Sequence, residues 1–294
     1  MATTDPRPLP FIYQFLSGAI AGVSEILVMY PLDMIKTRIQ LQVGSGSSAQ
    51  YSGVVDCFTQ IVKQEGPSRL YKGITSPILM EAPKRATKFA ANDEFSTIYK
   101  KLFGVPQMTQ SLAILTGSTA GACESFVVVP FELVKIRLQD RTSKFSSPIA
   151  VVKDIVKNNG ILGMYKGLES TLWRHIFWNG SYFGVIFQIR AILPEAKTPS
   201  RKTMNDLLSG TVGGIFGTLI NTPIDVVKSR IQAGTSTKYI WTFPSILMIY
   251  KEEGFSALYK GFLPKVLRLG PGGGILLVVF TSCMDFFRTI HYKD

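Results

Sequence analysis

The sequence predicts an all-α membrane protein of six transmembrane helices in three pseudo-symmetric pairs, with a short helix inside each pair. Three observations predict it. The decapeptide Pro31-Leu32-Asp33-Met34-Ile35-Lys36-Thr37-Arg38-Ile39-Gln40 returns at 130–139 and 223–232, at intervals of 99 and 93 residues. In each copy the proline is followed by an acid at +2, bases at +5 and +7, and glutamine at +9. Ahead of each copy an apolar stretch carries two glycines four apart: Gly18 and Gly22, Gly117 and Gly121, Gly210 and Gly214. The 294 residues are 46% hydrophobic and only 18% charged, below the roughly 25% of soluble domains. Repetition in near-constant register reads as one unit of three modules, placed at 11–103, 108–193 and 204–290.

The net charge is +12, from 32 Lys and Arg against 20 acids, a balance that suits anionic lipid, small anions or nucleic acid. Cys57, Cys123 and Cys283 lie far apart with no CxxC pair, which predicts neither a disulfide framework nor a zinc site. They read as small apolar packing residues. Residues 1–10 are proline-rich with an acid at Asp5 and resemble neither a secretory signal nor an Arg-rich presequence. Targeting information is therefore expected to be internal.

Taken in order, residues 11–40 exceed the about 20 needed to cross a bilayer. Small residues four apart let a neighbouring backbone approach. Pro31 removes one backbone hydrogen bond and is expected to kink the helix where its apolar part ends. The polar stretch 43–48 reads as a loop. Val54, Val55, Phe58, Ile61 and Val62 then fall at helical spacing, with equivalents at 149–156 and 246–250. Each short helix stops at a glycine, in Glu65-Gly66, Asn159-Gly160 and Glu253-Gly254. Tyr71-Lys72-Gly73, Tyr165-Lys166-Gly167 and Tyr259-Lys260-Gly261 follow, either as a lipid-headgroup site or as a turn into the next helix. The second spans, 74–102, 168–192 and 262–290, are interrupted by Lys84, Arg85 and Lys88, by Arg174 and His175, and by Lys265 and Arg268. Six spans place both termini on one side.

Proline, x, acid, x, x, base, x, base, x, glutamine in three repeats resembles the mitochondrial carrier family, over 11–290. The resemblance implies a monomeric carrier in the mitochondrial inner membrane, termini on the intermembrane-space side, working by alternating access through a central cavity. It implies a matrix gate of Asp33 with Lys135, Glu132 with Lys228 and Asp225 with Lys36, braced by Gln40, Gln139 and Gln232. It also implies lipid contacts, to cardiolipin, at Gly53 and the three Tyr-Lys-Gly turns. The alternative, a solvated helix end with i,i+3 pairs, explains neither the proline nor the register. The family's second network is degraded here: the matching positions hold Asn92, Asp93 and Ser96, then Phe187, Gln188 and Ala191, then Phe280, Thr281 and Met284. A substrate-free carrier is accordingly expected to rest open to the cytoplasm.

Charges inside membrane spans are functional candidates by default. The substrate set is Lys84, Arg85, Lys88, Arg174, His175 and Arg268, at the positions of the family's contact points on the even helices. Lys84 and Lys88 share a face. Arg85 lies about 100° round the helix and has a neighbouring helix as its alternative. His175 either meets substrate or hydrogen-bonds backbone or water. Arginine forks hold carboxylates bidentately, and arginine followed by a polar residue on the fourth span resembles family members that carry keto acids. The implied activity is exchange of 2-oxodicarboxylates such as 2-oxoadipate and 2-oxoglutarate. Alternatives are another di- or tricarboxylate carrier (malate/oxoglutarate or citrate) or a scaffold without transport. A nucleic-acid binder would need its charge on one exposed face. Glu25 and Glu124 either balance bases or carry a proton. No nucleophile-and-base set, metal cluster or cofactor motif is present in the sequence, so catalysis is not expected.

Overall fold

The computed structural model describes residues 9–44, 50–194, 199–234 and 238–292. Most of the 1–10 segment and of the expected 43–48 loop lies outside those residues. The described chain forms α1 (Phe11–Leu41), α2 (Val54–Gln60), α3 (Thr75–Phe103), α4 (Gln110–Gln139), α5 (Pro148–Asn159), α6 (Leu168–Ile192), α7 (Pro199–Ala233), α8 (Thr242–Glu253) and α9 (Phe262–His291). Short 3-10 turns precede α3, α6 and α9.

The odd spans α1, α4 and α7 run through Pro31, Pro130 and Pro223 without ending, because one lost N–H bond is tolerated where neighbouring helices pack. The short helices stop where Gly66, Gly160 and Gly254 take φ of 89°, 68° and 85°, a left-handed turn that a side chain resists. Thr109 caps α4 by accepting from Leu112 N at 3.3 Å, and Ser147 caps α5 by accepting from Ala150 N at 3.3 Å.

The six long helices close a ring in the order α1, α3, α4, α6, α7, α9 and back to α1. At the decapeptide end α1, α4 and α7 also touch one another. At the other end the Tyr13 ring lies tilted against Phe287 and His291, with centroids 5.1 and 5.2 Å away, so the start of α1 and the end of α9 lie together. Each short helix buries its apolar face on the end of its own odd span: Cys57 and Ile61 on Met34 and Ile35, Val151 and Ile155 on Leu133 and Leu138, Ile249 on Val227 and Ile231. Four long helices, α1, α4, α7 and α9, carry windows apolar enough to cross a membrane. Helices α3 and α6 hold Lys84, Arg85, Lys88, Arg174 and His175 and carry no such window among the described residues, whereas α9 has one despite Lys265 and Arg268. Phe11, Ile12, Leu27, Val28, Leu277 and Val278 are exposed outside the ring, as lipid-facing residues are.

The glycine pairs do not bring backbone against backbone as expected. In repeats 1 and 2 they receive polar side chains from the neighbouring even helix, while Gly214 of repeat 3 meets Leu269 of α9. A Cβ on Gly22 would collide with the Glu81 carboxylate and come within 2.7 Å of Arg85, and one on Gly121 would come within 2.7 Å of His175 Nδ1. Gly117 likewise faces the Asn179 amide.

Candidate functional site

A cavity of about 760 Å³ runs inside the ring, lined from Asp33, Glu132 and Asp225 at its floor to Asn92, Met108 and Phe183. A second, of about 410 Å³ between α1, α7 and α9, shares Asp33, Lys36, Arg174, Asp225 and Arg268 with it.

The floor of the central cavity is a set of ion pairs between helices. Lys135 Nζ donates to Asp33 at 2.9 Å, and Lys228 pairs with Glu132. The third pair differs from expectation: Asp225 is held by Lys265 of α9, which also donates to Thr222 Oγ1 at 3.3 Å. Lys265 reaches the carboxylate from α9, which packs against α7. Lys36 therefore lines both cavities with no ion-pair partner among the described residues. Arg268 joins the floor too, donating to Asp33 at 2.6 Å and to Glu25 at 2.8 Å.

The glutamines depart from the bracing role. Gln40, Gln139 and Gln232 are fully buried, yet none bonds an acid or base of the floor. Gln40 Oε1 accepts from Ser229 at 2.8 Å, while the side-chain amide of Gln232 has no hydrogen-bond partner among the described residues. Gln40 and Gln232 lie under Gly261 and Gly167, where a Cβ would come within 2.8 Å. They seal the seam to the preceding repeat rather than brace ion pairs.

Of the expected substrate set, Lys84, Lys88, Arg174, His175 and Arg268 line the cavity. Arg85 does not: it donates to Glu81 at 2.6 Å and lies against Gly18 and Gly22 of α1. Glu81, 2% exposed, holds Lys84 as well. Sequence reasoning missed Glu81, although its i,i+3 and i,i+4 spacing to two bases was a readable signal. Lys265, three residues before Arg268, was read only as an interruption. Arg174, which can only donate, lies 3.2 Å from His175 Nε2. Arg174 Nε is buried with no partner.

The cavity cations thus divide. Lys84, Lys135, Lys228 and Arg268 are committed to carboxylates. Lys36, Lys88 and Arg174 make no ion pair among the described residues, and Glu124, 7% exposed, is the one lining carboxylate there without a base. At the opposite end no ion pair joins two helices among the described residues at the positions from Asn92 to Met284 named above; Arg288 and Asp285 pair within α9 at 3.4 Å.

Among the lipid candidates, Tyr71 is exposed and Gly53 precedes α2. Lys260 is not available to a headgroup, because Glu253 at 2.8 Å and the carbonyls of Gln42 and Gly44 take its ammonium. Burial would raise the Glu253 carboxyl, but Arg230 and Lys260 bring it down to about 2.

Comparison with known proteins matches residues 7–103, 107–197 and 199–291 to the family model described as mitochondrial carrier protein. The chain is 62% identical to a mitochondrial 2-oxodicarboxylate carrier 1 of Saccharomyces cerevisiae, over 99% of each chain. It is 65% identical to a mitochondrial citrate transporter D of Aspergillus niger, over 97% of each. A mitochondrial 2-oxodicarboxylate carrier of Mus musculus is 41% identical over 91% of this chain and 92% of its own.

Proposed function

The chain belongs to the mitochondrial carrier family, and from that premise we propose that it is an inner-membrane antiporter exchanging 2-oxodicarboxylates such as 2-oxoadipate and 2-oxoglutarate. One observation carries the substrate class. Among the described residues three cations without an ion pair, Lys36, Lys88 and Arg174, face the cavity against one carboxylate without a base, Glu124. The surplus matches a dianion, and the cations come from α1, α3 and α6, so a short molecule with a carboxylate at each end bridges helices. Arg174 Nη and Nε atoms offer the fork for one carboxylate, and Lys88 or Lys36 a point charge for the other. The relatives named for 2-oxodicarboxylates support the same class.

The cycle follows from the floor. Asp33–Lys135, Glu132–Lys228 and Asp225–Lys265 close the matrix side, with Arg268 tying Asp33 to Glu25. Among the described residues the positions from Asn92 to Met284 hold no comparable lock, and on this reading the cavity opens toward the intermembrane space, where both termini lie. A dianion held by Lys36, Lys88 and Arg174 pulls on α1, α3 and α6 and lets the odd helices part. Anionic lipid, cardiolipin among them, lies against the outer seams, and the protein works as a monomer.

The citrate transporter among the relatives supports a second reading, a tricarboxylate carrier. Uptake of labelled 2-oxoglutarate into liposomes holding the purified protein tests both. Internal 2-oxoadipate accelerates uptake on the leading reading. If only internal citrate or malate does so, the second reading replaces it.

A further inference from the structure

Two residues ahead of the motif proline, repeats 1 and 2 carry Met29 and Val128, buried at 5% and 3% exposure. Repeat 3 carries Asn221 at the same place, and at 4% exposure it is buried as deeply as they are. An amide is costlier to bury than a thioether or an isopropyl group unless its donors and acceptor are met. The Asn221 amide is not met. Its Oδ1 is buried without a partner, and its Nδ2 makes no hydrogen bond among the described residues. The polar groups around it are committed: Thr222 Oγ1 donates to Thr218 O at 2.6 Å and accepts from Lys265 at 3.3 Å, and Lys265 holds Asp225.

Asn221 lines the side chamber of about 410 Å³ between α1, α7 and α9, and not the central cavity. Lys36 and Arg174, two of the cations without an ion pair among the described residues, line both spaces. A carboxylate held by either base therefore sits where the two spaces meet. In a 2-oxo acid the ketone carbon is bonded directly to the carboxylate carbon, so its oxygen enters the chamber beside that carboxylate. The ketone oxygen is neutral and can only accept, which suits a neutral N–H donor. The cations are drawn to the two carboxylates, and the amide is left for the ketone.

We propose that Asn221 recognises the 2-oxo group, its Nδ2 donating to the ketone oxygen while Arg174 or Lys36 holds the adjoining carboxylate. Resting on the function proposed above, this contact tells a 2-oxodicarboxylate from a plain dicarboxylate of the same length. A donor built for a substrate oxygen discriminates against the analogue that lacks it, because the buried donor is then left unpaired. Met29 and Val128 offer no such donor, so the oxo group is read by repeat 3 and the substrate is held in one orientation.

The test is competition in liposomes holding the full-length protein and internal 2-oxoglutarate. External unlabelled 2-oxoglutarate or glutarate, equal in length and differing by the oxo oxygen, is titrated against uptake of labelled 2-oxoglutarate. The wild type needs about tenfold more glutarate than 2-oxoglutarate for half-inhibition, the scale of one buried hydrogen bond. Asn221→Ala brings the two concentrations to within about twofold, by weakening 2-oxoglutarate. Asn221→Leu, close in shape to asparagine, does the same and leaves no void should the alanine variant not fold. Lys88→Met removes a carboxylate contact from the central cavity, so it weakens both competitors and keeps their ratio. The proposal falls if the wild type takes glutarate as readily as 2-oxoglutarate, if either Asn221 variant keeps the wild-type ratio, or if Lys88→Met lowers it as far as they do. A wild type that takes up no labelled 2-oxoglutarate overturns the proposed function itself, and this contact with it.

Discussion

Removing Arg174 separates cations that bind substrate from cations that hold the fold. Its guanidinium bonds only His175 Nε2, at 3.2 Å, and its Nε has no protein partner. Charge-assisted hydrogen bonds are worth about 1.5–3 kcal/mol each, so losing a two-pronged carboxylate contact costs about 3 kcal/mol after solvent compensation. That is on the order of a 100-fold loss of exchange. The nearby acids Glu132 and Asp225 keep Lys228 and Lys265, so Arg174→Ala shifts Tm by no more than about 2–4 °C. Arg268→Ala is the contrast. It removes one of two bases from Asp33, which keeps Lys135, and the ion-pair partner of the half-buried Glu25; losing hydrogen bonds to charged groups costs about 1.5–3 kcal/mol, so both Tm and exchange fall. Liposome exchange of labelled 2-oxoglutarate and thermal unfolding of the same preparations make the comparison. Exchange by Arg174→Ala within threefold of wild type, or a Tm loss equal to that of Arg268→Ala, refutes the division into free and committed cations.

Lys265→Met and Lys36→Met should also differ. The first leaves Asp225, 7% exposed, without its ion-pair partner and lowers Tm by several degrees, and the second raises the KM for substrate with little change in Tm. Gly121→Ala puts a methyl within 2.7 Å of the His175 ring; displacing that ring costs about 1–3 kcal/mol and slows exchange, and an unchanged rate would show that the contact is idle. The Glu253 carboxyl sits at about 2 in the folded chain against an ordinary 4.5. Its depressed value means that its contribution is complete above pH 4.5 and is lost as pH falls toward 2. Glu253→Gln should therefore flatten that part of the Tm-against-pH curve, and an unchanged slope would assign the acid lability elsewhere.

Much of the architecture was legible because it is periodic. Three prolines with acids and bases at fixed offsets mark three helix ends, and the glycines at 66, 160 and 254 mark three turns, because each depends on residues near in sequence. The glycine pairs were legible as close-approach sites, but not what approaches. Gly22 receives Glu81 and Arg85, and Gly121 receives His175, because the even helices present long polar side chains where the pattern suggested only backbone. The site was legible as a list of charges and not as a set of partnerships. Glu81 removes Arg85 from the cavity and occupies Lys84, a local effect that spacing along α3 contains.

By itself the sequence determined the six spans, the threefold register, the acids and bases at the decapeptide end and the surplus of positive charge within the spans. The tertiary structure decided which base each acid takes. Asp225 has a candidate lysine on each of two helices, Lys36 on α1 and Lys265 on α9, and their residue types are identical. Coulomb energy falls with distance and burial penalises any charge left alone. The choice therefore rests on how α7 and α9 pack, which no residue pattern states. That packing gives Asp225 to Lys265 and leaves Lys36 facing the cavity.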